Sequence, residues 1–246
     1  MLWLYSLLSV ILVSLVSLVG LFTFSMKDKT LQKLMIYFVS FSVGGLLGDA
    51  FLHLLPESIK INTELNLSLY ILLGILISFV VEKFIQWRHC HIPTSKNHPH
   101  PFALMNLVGD LVHNFIDGLI IGASYLASLQ VGIATTIAVL LHEIPQEIGD
   151  FGVLIHGGFN KNKALFLNFV TALSAVAGTI ISLIIASYVE NITSFLLPFA
   201  IGCFIYITSS DLIPELHKET NPIKSLKQLI AILFGISIMY LFLFLE

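Results

Sequence analysis

Charge is what this chain lacks most. Of its 246 residues only 11% are Asp, Glu, Lys or Arg, against roughly 25% in an ordinary soluble domain. The 57% that are hydrophobic exceed what one core of this size can hide, because a folded monomer still has to cover its exterior with groups that water accepts. A soluble globular fold is excluded, and the exterior must face lipid. Basic residues are scarce as well. Twelve Lys and Arg against fifteen Asp and Glu leave a net charge of −3, so nucleic acid is excluded as a partner. With only Cys90 and Cys203, a disulfide framework is excluded too.

Long apolar runs are what the chain has instead. A bilayer core about 30 Å thick takes roughly 20 apolar residues per helix. Runs of that kind, divided by charge, Pro or Asn clusters, fall at 2–25, 31–58, 67–88, 102–129, 131–157, 163–189, 193–218 and 223–245. The pattern predicts an all-α integral membrane protein, with eight transmembrane helices in one domain over residues 1–246. Between the fourth and fifth runs only SLQVG is free to turn, so a tight hairpin is expected near Gln130. The first run has no basic segment before it and no small-residue cleavage site after it, and is read as a span rather than a signal peptide.

Orientation follows from the Lys and Arg count by loop. With the N-terminus outside, the inner loops receive Lys27, Lys29, Lys33, Lys83, Arg88, Lys96, Lys161, Lys163, Lys218, Lys224 and Lys227, and the outer ones only Lys60. That is the positive-inside pattern, and both termini are expected outside or in a lumen. The longest connection, about 89–101, reads HCHIPTSKNHPHP and is expected in the cytoplasm. Its His89, His91, His98 and His100 either bind a borderline-soft metal such as zinc or belong to a plain polar loop.

Ionisable groups inside a span cost at least about 2.5–3.5 kcal/mol each and usually face the bundle interior. The fourth run carries Asp110, His113, Asn114 and Asp117 at i, i+3, i+4 and i+7, one helical stripe. In the fifth, HEIPQEIGD makes Glu143 and Glu147 an i,i+4 pair and sets His142 and Gln146 on an adjacent strip. Pro145 has no N–H, so it frees the carbonyl near Leu141 and should bend the helix there. A hairpin about Gln130 puts His113 level with Glu147, Asn114 with Gln146, and Asp117 with Glu143. Three carboxylates near the membrane midplane cannot all stay ionised without counter-charge, and neither segment holds a Lys or Arg. Protons or cations remain. Imidazole with carboxylate and amide suits Zn2+ or Fe2+, with Mn2+ or Cd2+ also accommodated, and lacks the thiolates of a copper(I) site.

A second polar layer lies nearer the membrane faces. The second run ends outside with Asp49, His53, Pro56 and Glu57, and the seventh ends inside with Asp211, Pro214, Glu215 and His217. Similar groups at opposite faces point to a 3+2+3 arrangement, with inverted-repeat halves around a central helix 4–5 hairpin. Asp49, His53, Glu57, Asp110, Gln146, Asp150, Asp211, Glu215 and His217 would then mark a transport path.

These segments resemble the ZIP family of divalent-metal transporters, and most closely the subfamily whose fifth helix reads HExPHExGD. The resemblance rests on HEIPQEIGD with the FGVLIHGG that follows, HNFIDGLIIGASY, GDAFLHLLPES and LPFAIGCFIYITSSDLIPEL, and covers essentially the whole chain. It implies a binuclear metal site at His113, Asn114, Asp117, His142, Glu143 and Glu147, with zinc carried into the cytoplasm by alternating access. It also implies homodimers, in the plasma membrane or an organelle membrane of the secretory pathway. One position departs from the pattern: Gln146 stands where the second His is expected, so the group there is neutral.

From other classes, an intramembrane zinc metallohydrolase also sets His and Glu on a membrane helix. Its HExxH needs a His at position 146 to grip the metal, and here Gln146 follows the helix-breaking Pro145. A metal-gated sensor or channel would use the same site as a transporter.

Overall fold

The computed structural model describes residues 1–23, 28–87, 101–156, 158–189 and 191–245. Among the described residues every regular element is helical. α1 is Leu2–Leu15, continued by a tighter turn Val16–Val19 and by Gly20–Thr23. α2 is Asp28–Asp49, then a π turn Ala50–Leu54, then Leu55–Ile61. α3 is Glu64–Trp87, α4 is Pro101–Ala127 and α5 is Leu129–His156. α6 is Lys161–Ala172 and Ser174–Tyr188, α7 is Thr193–Ile207 with a π turn Thr208–Leu212 and Ile213–Leu216, and α8 is Pro222–Phe242.

Seven of these are long and apolar enough to cross a membrane by length and composition. The helix outside that group is α5, whose 28 residues include Glu143, Glu147 and Asp150. The loop bearing His89, His91, His98 and His100 lies outside the described residues.

The α4–α5 turn falls on Ser128 alone, two residues before the expected Gln130. Serine suits the spot because its hydroxyl replaces a missing helical acceptor: Ser128 Oγ accepts from the Val131 amide at 3.1 Å, capping α5. The chain can reverse this sharply because α5 begins with room for α4. A Cβ at Gly132 would overlap the Tyr125 ring.

α4 packs against α5 and α6, α2 against α8 and α5, and α3 against α7. Lipid offers no hydrophobic drive to bring helices together, so small residues that let backbones touch do that work. Three pairs here are reciprocal. A Cβ at Gly118 would strike the Ala175 carbonyl and one at Gly178 the Phe115 carbonyl; Gly44 and Gly235 stand in the same relation across α2–α8, and Gly74 and Gly202 across α3–α7. The apolar core gathers around the hairpin from Ile120, Ile121, Val139, Leu197, Phe204 and Met239. Leu65, Leu69 and Leu76 of α3 and Leu226, Leu229 and Leu233 of α8 are exposed, as lipid-facing residues should be.

The two π turns share a context. Each ends just before a branched residue, a Pro and a Glu: Leu55-Pro56-Glu57 and Ile213-Pro214-Glu215. Proline withdraws a donor and crowds the carbonyl four residues back, and a wider turn upstream absorbs both.

Gly118→Ala is expected to cost about 1–3 kcal/mol by overpacking, seen as a lower unfolding midpoint in detergent. Gly152→Ala, where a Cβ meets nothing within 4 Å, should not lower it.

Candidate metal centre

The hairpin sets two turns of α4 against two turns of α5. From α4 come His113 and Asp117, an i,i+4 pair; from α5 come the neighbours His142 and Glu143. One ligand atom from each can be chosen so that all four lie within 4.8 Å of one another. His113 Nε2 is 3.3 Å from His142 Nε2, 3.6 Å from Asp117 Oδ2 and 3.5 Å from Glu143 Oε1. His142 Nε2 is 2.9 Å from Asp117 Oδ2 and 3.6 Å from Glu143 Oε1. Tetrahedral zinc with bonds of about 2.0–2.2 Å places its ligand atoms roughly 3.3–3.6 Å apart. The cluster has the size of that shell.

Its electrostatics ask for a cation. Asp117, His142 and Glu143 are each no more than 1% exposed. Both Asp117 oxygens and Glu143 Oε1 are buried without a hydrogen-bond partner. His142 Nδ1 lies 3.2 Å from the Ala138 carbonyl, which can only accept, so Nδ1 carries a proton. In the neutral ring that leaves the Nε2 lone pair directed into the cluster. The carbonyl freed by Pro145 is occupied: Ser42 Oγ of α2 donates to Leu141 O at 2.5 Å, tying that turn of α5 to its neighbour.

Asn114 and Glu147 stand apart from these four, in a second polar network. Asn114 Nδ2 donates to Asp110 Oδ1 at 2.7 Å, and Thr171 of α6 donates to Asp110 Oδ2. Asn168 of α6 donates to Glu147 Oε2 at 2.5 Å. Asp150 Oδ1 accepts from Asn106 at 2.9 Å. Sequence reading did not single out Asn168, Thr171 or Asn106. A polar residue in each apolar stretch was the available signal.

A cavity of about 1020 Å³ runs from His113 and Asp110 past Gln146 and Asp150 to Asp211 and Glu215. Glu82 of α3 lines its wall and accepts from Tyr206 of α7. His113 is the cluster residue that reaches it, with a side chain 20% exposed. His217 is exposed beyond this end. The α2 groups at the opposite end are shut away rather than forming a wet mouth. Asp49 and His53 are buried, with Thr135 donating to Asp49 Oδ2 at 2.8 Å and His53 Nε2 2.9 Å from the Met239 carbonyl. Glu57 pairs with Lys60 at 2.6 Å.

The sequence profile of the ZIP zinc transporter matches residues 1–104 and 100–243. The chain belongs to the ZIP zinc transporter family. Among its relatives, zinc transporter zipt-7.1 of Caenorhabditis briggsae is 34% identical over 97% of this chain and 78% of its own length. Zinc transporter SLC39A7 of Mus musculus is 30% identical over 100% of the chain and 70% of its own. Zinc transporter ZIP13 of Pongo abelii is 36% identical over 83% and 65%. The ZIP assignment makes this a multi-pass membrane transporter and removes the hydrolase reading.

A ligand that binds only the folded state raises stability, by about 2.7 kcal/mol at a hundred times its dissociation constant. Zinc should therefore raise the unfolding midpoint of the wild-type chain in detergent. Asp117→Asn, which takes a charged oxygen donor from the four-residue cluster, should respond little to zinc.

Proposed function

We propose that the chain carries zinc across its membrane into the cytoplasm by alternating access, holding the ion at His113, Asp117, His142 and Glu143. The observation that carries this reading is the buried cluster of two imidazoles and two carboxylates, which His113 joins to a cavity lined by acids as well as apolar residues. A structural zinc site would be closed all round; this one reaches the cavity through half-buried His113. The two ends of the path differ. Cavity and acids fill the Asp211 and Glu215 end, while Asp49 and His53 are packed dry at the other. That asymmetry is what an inward-facing state requires.

Direction rests on charge. Lys161, Lys218 and Lys224 lie at or beside the helix ends on the cavity side, and the positive-inside rule makes that side cytoplasmic, with both termini outside. The 3+2+3 inverted repeat is supported by the matched π-turn and Pro-Glu ends of α2 and α7. The paired glycine contacts, α2 with α8 and α3 with α7, support it too.

A second ion, held with Asn114 and Glu147, makes the site binuclear. Two divalent ions supply the positive charge that the hairpin's carboxylates lack. Fe2+, Mn2+ and Cd2+ share enough of zinc's ligand preference to compete for entry.

Proteoliposomes containing the wild-type chain should accumulate radiolabelled zinc, while His142→Ala combined with Glu143→Ala should fall to the level of empty vesicles. Undiminished uptake by the double variant would sink the assignment.

A further inference from the structure

Leu141 stands one residue ahead of the ligand pair His142 and Glu143. In an α-helix its carbonyl would accept the amide of residue 145, and Pro145 has no N–H. Two contacts from α2 grip Leu141 instead. Ser42 Oγ donates to Leu141 O at 2.5 Å, and a Cβ at Gly45 would lie 3.1 Å from Leu141 Cδ1. Ser42 and Gly45 are i and i+3, on one face of α2, so one helix holds both the backbone and the side chain of Leu141. The Leu141 carbonyl also shares a rigid peptide plane with the His142 nitrogen. Fixing the oxygen fixes the plane from which His142 departs. The His142 ring has a tie of its own, Nδ1 to the Ala138 carbonyl at 3.2 Å.

Ser42 is 0% exposed, and its hydroxyl has a single proton to give. That hydroxyl also lies 2.8 Å from Phe38 O of its own helix. The Phe38 carbonyl takes the Ser42 amide in the ordinary helical ladder, whereas the Leu141 carbonyl has lost its ladder donor. The hydroxyl therefore matters more across helices than within α2. Ser40 is the contrast: it is equally buried, and its hydroxyl bonds back to Ile36 O at 2.7 Å, within α2.

We infer that Ser42 is a positioning residue for the ion site: by supplying the hydrogen bond that Pro145 withholds, it sets the backbone from which His142 and Glu143 reach the metal. The inference rests on the reading of the four-residue cluster as the place where zinc is held. Pro145 and Ser42 then act as one device split between two helices. The proline opens a carbonyl beside the ligands and α2 closes it, so the ligand geometry depends on where α2 stands against the hairpin.

The test is titration of the purified, metal-free full chain in detergent, with ZnCl2 by calorimetry and with CoCl2 by its visible ligand-field spectrum. Ser42→Ala should weaken by about tenfold the zinc event that His142→Ala with Glu143→Ala abolishes, and should shift the cobalt spectrum. Ser40→Ala should match wild type in both. The decisive comparison is a double-mutant cycle. Pro145→Ala returns an amide to the Leu141 carbonyl, so adding Ser42→Ala to it should change neither affinity nor spectrum. Three results would overturn the inference: Ser42→Ala indistinguishable from wild type, an equal loss in Ser40→Ala, or a tenfold loss that persists on Pro145→Ala. If Ser42→Ala alone does not fold, its combination with Pro145→Ala decides. That pair must fold and bind zinc as Pro145→Ala does, and failure in either respect overturns the inference. Zinc binding untouched by His142→Ala with Glu143→Ala overturns the reading of the cluster, and the role of Ser42 with it. Where that pair abolishes binding, a Ser42→Ala without effect overturns the role of Ser42 alone.

Discussion

Carboxylates buried in lipid without a basic partner are the constraint on which this structure turns. Among the described residues, the ion pairs of Lys60, Lys218 and Lys224 all lie at helix ends, on the acids Glu57, Glu215 and Glu219. Asp49, Asp110, Asp117, Glu143, Glu147 and Asp150 are met by imidazoles, amides and hydroxyls. Each of these partners is a donor from another helix or another turn. Thr135 serves Asp49, Thr171 and Asn114 serve Asp110, and Asn168 serves Glu147. The hairpin is bound to α2 and α6 through the groups that solvate its charges. Asp49 and Asp150 each leave one oxygen without a hydrogen-bond partner, and in the hairpin cluster Asp117 leaves both and Glu143 one. Protons or a cation would balance these charges.

Close helix contact is what makes such placement reproducible. A hydroxyl or amide reaches a neighbour's carboxylate only if the two backbones are held at a fixed short distance. The reciprocal glycine pairs provide that for α4–α6, α2–α8 and α3–α7. Sequence, packing and chemistry meet at Gly118 and Gly178, which bring α6 near enough for Thr171 to reach Asp110. Lipid-facing residues of α3 and α8 can vary without touching this geometry; the glycines cannot.

Much of this was readable from the chain. Apolar run lengths gave the helices, and the i, i+3, i+4 and i+7 stripe on α4 gave the face that carries His113 and Asp117. Depth was less legible. A hairpin about Gln130 pairs His113 with Glu147 and Asp117 with Glu143; with the turn at Ser128, His113 lies against Glu143, while Asp117 and Glu143 stay in one cluster. The reason is local: Ser128 caps α5 with its own hydroxyl, a bond that apolar periodicity does not encode. The donors from α6 were hidden for another reason. Serine, threonine and asparagine in a membrane helix often bond back to their own turn, and whether one reaches across depends on a neighbour distant in sequence. The freed Leu141 carbonyl was foreseen from Pro145, but its partner Ser42 lies 99 positions away.

The π turns at Ala50–Leu54 and Thr208–Leu212 carry a consequence of their own. A π turn holds an extra residue, and one residue amounts to about 100° of rotation around a helix axis. The Pro-Glu ends of α2 and α7 therefore face directions set by a residue count upstream, not by their own side chains. Deleting one residue within 50–54 would swing Glu57 about a quarter-turn while every side chain beyond it kept its identity. At these ends the chain stores aim as phase, and a comparison of residue types alone would not register its loss.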